Sequence, residues 1–108
     1  MKYIKTFEFA ATEDELSRVG NYVILNPFRT TLKEKKFFNN TIGQIIKICE
    51  SPLSIENGFI IQYNKKDIPS FIILNKDNTY YTRSYEIILE YKNKENLEAF
   101  ILSKKYNL

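Results

Sequence analysis

Four short apolar runs recur along this chain: "YVIL" at 22–25, "IGQIIKI" at 42–48, "GFIIQY" at 58–63 and "SFIIL" at 70–74. Each is rich in β-branched or aromatic residues, and glycine, proline, asparagine or aspartate punctuates the stretches between them. Runs this short, spaced about a dozen residues apart, predict strands of a small sheet rather than helices of a bundle. Val19 and Gly20 lead into the first run, where glycine can adopt the backbone angles that redirect a chain. Asn26-Pro27 closes that run, because proline cannot donate to a ladder.

In the second run, Ile42, Gln44, Ile46 and Ile48 fall on one face, and Gly43, Ile45, Lys47 and Cys49 on the other. Gly43 removes a side chain where a strand bulges or passes close to a neighbour. Phe59, Ile61 and Tyr63 align in the third run, and "SFIIL" reads as a fourth strand. "NKDN" is a turn, and "TYYTRSYEIILEY" follows it. At its end Tyr85, Ile87, Leu89 and Tyr91 point one way, and Glu86, Ile88 and Glu90 the other.

The remaining segments punctuate this pattern. "YIKTFEF" alternates as an extended arm, and Thr12 with Glu15 makes a capping box for one or two turns of helix. Residues 28–41 read as a polar loop anchored by Leu32, Phe37 and Phe38, with a turn at Asn39-Asn40. From Asn93 the period becomes helical, with Leu97, Phe100 and Ile101 on one stripe and Lys104 and Lys105 near the end. A chain of 108 residues makes one domain. It divides into an arm and short helix (1–18), a β-barrel (19–91) and a C-terminal helix (93–106). The expected class is α+β, mostly antiparallel: a small curled barrel of about five strands.

"VGNYVIL", "IGQIIKI" and "GFIIQY", covering residues 19–63, resemble the first three strands of small Src-homology-3-like barrels of the Tudor and KOW type. The resemblance implies a binding barrel whose loops meet a partner. The chain also resembles short bacteriophage proteins in the pieces Lys2 to Glu8, Val19 to Ile24, Ile42 to Ile48 and Asn93 to Leu108. That likeness implies a viral gene product and brings no activity or site residues with it. Asn21 stands where those proteins carry an acidic residue after the glycine.

Catalytic chemistry finds few groups to work with. Histidine is absent and Cys49 is the only cysteine, which leaves no histidine-activated nucleophile, no zinc ligand set and no internal disulfide. Cys49 lies in "IIKICE" and reads as a buried, inert thiol. Three glycines build no phosphate loop. Glu86 and Glu90 share a strand face at ~13 Å, beyond the ~5–10 Å of paired-carboxylate hydrolysis. Glu13, Asp14 and Glu15 suit a helix N-terminus. The expectation is no enzyme and no cofactor.

Binding is the remaining class. The net charge of +3 is modest, and its excess centres on "LKEKKFF". Phe28, Arg29, Lys33, Lys35 and Lys36 interleave bulk with positive charge, as phosphate contact plus base stacking requires. In "NTYYTRSY", Tyr81 and Arg83 share a strand face with Tyr85 and offer stacking planes and a cation to a protein or a single strand. Tyr85 is the one of these expected to be buried. The first expectation is a protein partner, encoded by a host cell, and the second is nucleic acid through the basic loop and the Tyr/Arg strand. No apolar run approaches the ~20 residues of a membrane span, and "MKYIKTFEF" lacks the apolar core of a secretory signal. A cytoplasmic protein without a membrane partner is expected.

Overall fold

The computed structural model describes residues 13–28, 30–50 and 57–105. The predicted arm and Thr12 of the capping box lie outside these. In chain order the elements are helix Glu13–Leu16 (α1), strand Tyr22–Leu25 (β1), helix Leu32–Asn40 (α2), strands Gly43–Cys49 (β2), Gly58–Gln62 (β3), Thr79–Arg83 (β4) and Ile87–Tyr91 (β5), and helix Lys94–Lys105 (α3). Short 3-10 turns occupy Lys65–Asp67, Lys76–Asn78 and Ser84–Glu86. The fold is α+β, with one antiparallel sheet in the order β4-β3-β2-β1-β5.

That order carries a constraint. β4 and β5 are the opposite edges of the sheet, yet only Ser84–Glu86 joins them. Arg83 pairs with Gly58, which pairs with Cys49 at the far end of β2. Ile87 pairs with Leu25, beyond the near end of β2, where Val23 meets Gly43. On a flat sheet these two residues would stand ~30 Å apart, counting ~3.3 Å per residue and ~4.8 Å per strand. Four residues of chain reach at most ~14 Å. The sheet must therefore coil until its two edges meet at this corner. A register shift between Ile45 and Lys47 in β2, and another opposite Ile24 and Leu25 where Ile88 is the extra residue of β5, supply the bends, since a bulge increases local twist. Among the described residues no ladder joins β4 to β5, so the sheet is curled but open, a looser form of the small curled barrel expected.

The bulge also corrects the alternation expected of β2. Gly43 and Ile45 are buried, but Ile46 and Lys47 are both exposed, and Ile48 returns to pack against the core. Gly43 is needed for closeness: a Cβ there would overlap Ile61 and come within 2.9 Å of the Tyr63 ring. Around it Val23, Leu25, Ile45, Phe59 and Ile61 form the centre of the core, each fully buried.

Two larger corrections follow. Residues 28–41 are not a loop, because α2 fills most of them. Thr31 Oγ1 accepts from the Glu34 backbone N–H, and Glu34 Oε1 accepts from the Thr31 N–H at 2.9 Å, a reciprocal cap that offsets the weak helical periodicity. Phe37 and Phe38 then pack onto Tyr63, and Phe38 onto Tyr80, with ring centroids 4.5–5.8 Å apart. Asn39 and Asn40 finish the helix by donating side-chain N–H bonds to the Lys35 and Lys36 carbonyls, rather than making the turn expected of them. Second, "SFIIL" is no strand. The 3-10 turn Lys65–Asp67 and the Ile72 N–H bond to the Pro69 carbonyl at 3.1 Å hold it irregular, so only Ile72 is buried and Ile73 is 91% exposed. The fourth strand is instead Thr79–Arg83.

α3 occupies the predicted place, lying against β5 and β1 with Leu97 fully buried. At the other end of the chain, Gly20 adopts φ +99° and turns Arg18 back, so that its guanidinium meets Glu90 on β5 at 2.6 Å and lies 4.4 Å from the Phe59 ring centroid. No helix among the described residues is long and apolar enough to cross a membrane.

Tyr63 generates a test. Its hydroxyl is buried with no hydrogen-bond partner among the described residues, and burial, then the nearby Tyr80, raise its pKa well above the usual 10.0. The folded protein keeps this proton where the unfolded chain releases it, so the associated stability is complete below pH 10 and falls above it. In Tyr63→Phe, thermal unfolding at neutral pH should show unchanged or higher stability, by up to ~1 kcal/mol, since an orphan hydroxyl is removed. Above pH 10 the wild type should lose up to ~1.4 kcal/mol per pH unit that the variant retains. A clear loss of stability in the variant at pH 7 would mean that the hydroxyl has a partner.

Candidate functional site

The corner that joins the two sheet edges is also where exposed aromatic side chains gather. Glu86, in the 3-10 turn, reaches β4 on one side and the segment after β1 on the other. Its Oε1 accepts from Thr82 Oγ1 on β4 at 2.7 Å, its Oε2 accepts from the Phe28 N–H at 3.2 Å, and its backbone carbonyl accepts from the Asn26 N–H at 2.7 Å. A carboxylate shared by a buried threonine and the Phe28 amide, with the backbone carbonyl of the same residue taking the Asn26 amide, makes a short, directional clasp. It pins the segment after β1 to the turn after β4. Phe28 and Tyr85 consequently meet, with ring centroids 5.2 Å apart and planes tilted by 38°. Both stay open to solvent, at 64% and 56% exposure.

Tyr85 was expected to be the buried tyrosine. It lies in the 3-10 turn rather than on the strand face, which swings its ring out of the alternation. Phe28 is a predicted site residue, and the structure gives it this aromatic partner. Tyr81 and Arg83 hold their predicted relation on β4. The Arg83 guanidinium lies 5.7 Å from the Tyr81 ring centroid, and Tyr81 rests over Gly58, where any Cβ would overlap its ring. A glycine on the adjacent strand thus seats the tyrosine flat on the sheet while 37% of it remains exposed.

The basic residues are placed elsewhere. Lys33 and Lys36 are exposed on α2 and Lys35 is half-buried there, while Arg29 lies outside the described residues. α2 covers the side of β4 that carries Tyr80. Tyr81 and Arg83 project from the opposite side, because successive side chains alternate. The lysines and the Tyr81–Arg83 pair therefore form two surfaces, not one track. Lys33 Nζ instead lies 5.7 Å from the Phe71 ring centroid. There α2 and the segment from Lys66 to Phe71 enclose an open groove of ≈ 590 Å³.

Two carboxylates near the corner, Glu86 and Glu90, are engaged in structure. Glu90 accepts from Arg18 and from Asn21 Nδ2, and Glu86 forms the clasp. Burial, then the negative charges of Glu86 and Glu34, raise the Tyr80 pKa. Cys49 is a half-buried free thiol. Among the described residues no three His, Cys, Asp or Glu side chains group as a cation site requires. Tyr85 shares the predicted Tyr/Arg segment but is exposed rather than buried, and nothing local in the sequence marks the clasp at Glu86 or the groove residues Lys66 and Phe71. Only tertiary pairing across the coiled sheet makes the first two significant, and the last two become neighbours of α2 only once "SFIIL" is irregular. The chain matches no protein-family model, and no curated protein or solved structure matches it.

Glu86→Ala tests the clasp. Losing an acceptor that satisfies buried Thr82 and the Phe28 amide should destabilise the protein by ~1–3 kcal/mol in urea unfolding. It should also remove the ring-to-ring nuclear Overhauser effects between Phe28 and Tyr85. Unchanged stability with those effects intact would show that Glu86 does not hold the corner.

Proposed function

We propose that this chain is a non-catalytic binding module that contacts another protein through the corner formed by Phe28 and Tyr85, with Tyr81 and Arg83 on the adjoining strand. The observation that carries the reading is the exposed Phe28–Tyr85 pair, two rings from residues 57 positions apart held together by hydrogen bonds at Glu86. Large aromatics that are already ordered give contact area at low entropic cost, and tyrosine and arginine are the side chains that dominate interface energies. The engaged Glu86 and Glu90 support a contact role over an acid–base one. The separation of the lysines from Tyr81 and Arg83 favours a protein over a single strand threaded across both. The bacteriophage resemblance points to a bacterial host as the source of the partner.

Affinity capture from bacterial lysate tests this, with the wild type beside a Phe28→Ala/Tyr85→Ala variant and with nuclease treatment of both. Truncating two central aromatics should weaken retention of a specific protein by about 30-fold or more, the equivalent of ~2 kcal/mol. Equal capture by both forms, or capture of nuclease-sensitive material alone, would contradict the reading.

A further inference from the structure

The groove between α2 and the segment from Lys66 to Phe71 lies apart from the aromatic corner. Its floor is apolar, made by Phe37, Ile68 and Pro69, with Phe71 at the rim 51% exposed. Three lysines border it from two different elements: Lys33 and Lys36, one helical turn apart on α2, and Lys66 across the groove. Among the described residues none of the three has an ion-pair partner, and Asp67 is the only acidic residue along the groove. Lys33 rests over Phe71, so the rim combines a cation and a ring at one point.

We infer that this groove docks an acidic polypeptide segment that inserts one large apolar side chain between α2 and Pro69. Charge complementarity sets the sign: three cations against one carboxylate leave the groove positive, and carboxylates flanking the inserted side chain would meet lysines on both walls. The floor sets the class. An aliphatic and proline surface with one exposed ring accepts an anchor such as leucine or phenylalanine. A nucleic-acid strand would call instead for several exposed stacking planes along the cations, and this groove exposes the single ring of Phe71. The volume of ≈ 590 Å³ is ample for one such side chain and its flanking backbone. The inference is independent of the contact proposed for Phe28 and Tyr85.

The test is selection of a random dodecapeptide display library on the immobilised protein, followed by fluorescence anisotropy of the enriched peptides. A (dT)12 oligonucleotide is measured alongside. The expected consensus is acidic with one invariant large apolar residue. Its affinity should fall with added salt and drop by about 10-fold or more in Lys33→Glu/Lys36→Glu. Lys66→Glu, on the other wall, should weaken it as well, so the result does not rest on α2 alone, and thermal unfolding checks that each variant is folded. Phe28→Ala/Tyr85→Ala should leave peptide binding unchanged, which separates this site from the aromatic corner. No consensus, a neutral or basic one, affinity indifferent to the charge reversals, or tighter binding of (dT)12 in the same groove would each overturn the inference.

Discussion

Three residues, Ser84–Glu86, have to connect the two opposite edges of a five-stranded sheet. Pairing β5 with β1, rather than folding it back on β4 as a hairpin, is what imposes this. The register places Ile87 opposite Leu25 and Tyr22 opposite Tyr91, so the sheet has to coil through nearly the whole length of β2 before the chain can cross. The bulges in β5 and β2, the close approach at Gly43 and the burial of Phe59 and Ile61 inside the coil follow from that demand. A core this small gains from it, because a coiled sheet buries one face with few residues.

The same constraint makes the surface. The turn that crosses between edges cannot continue the strand alternation, so Tyr85 leaves the core side that Ile87 occupies opposite Leu25, while the extra residue Ile88 puts Leu89 opposite Ile24 on the other face. Glu86 is brought beside the end of β1, where it takes both the Phe28 amide and the Thr82 hydroxyl. An acidic side chain in a turn would ordinarily face solvent, and here the hydrogen bonds of Glu86 tie two parts of the fold. Exposed aromatic rings normally cost order to hold in place, and the clasp meets that cost within the fold itself.

Much of this architecture was legible in the residues. Tyr22–Leu25, Gly43–Cys49 and Gly58–Gln62 carry β-branched runs bounded by glycine or proline, and the change of period after Asn93 announces α3. What stayed hidden depends on contacts distant in sequence. α2 has no aliphatic stripe; its helix rests on the Thr31–Glu34 reciprocal cap and on two phenylalanines finding Tyr63 and Tyr80, and a cap signal alone is easily read as loop chemistry. "SFIIL" has strand propensity, but the turn through Pro69 keeps it from pairing, a case of tertiary context overriding local preference. In the candidate site, Phe28, Tyr81 and Arg83 were visible as residue types, and the pairing of Phe28 with Tyr85 was not, because nothing near either residue encodes the 3-10 corner.

The central claim is the pairing of β5 with β1 across that corner, and nuclear magnetic resonance reads it directly. Backbone nuclear Overhauser effects and slow amide exchange should connect Ile24 with Leu89 and Val23 with Glu90, with the Asn26 amide protected by its bond to the Glu86 carbonyl. Cross-strand effects between the ends of β4 and β5, as in a hairpin turning at Ser84–Glu86, with none reaching β1, would contradict the coiled sheet and the aromatic corner built on it.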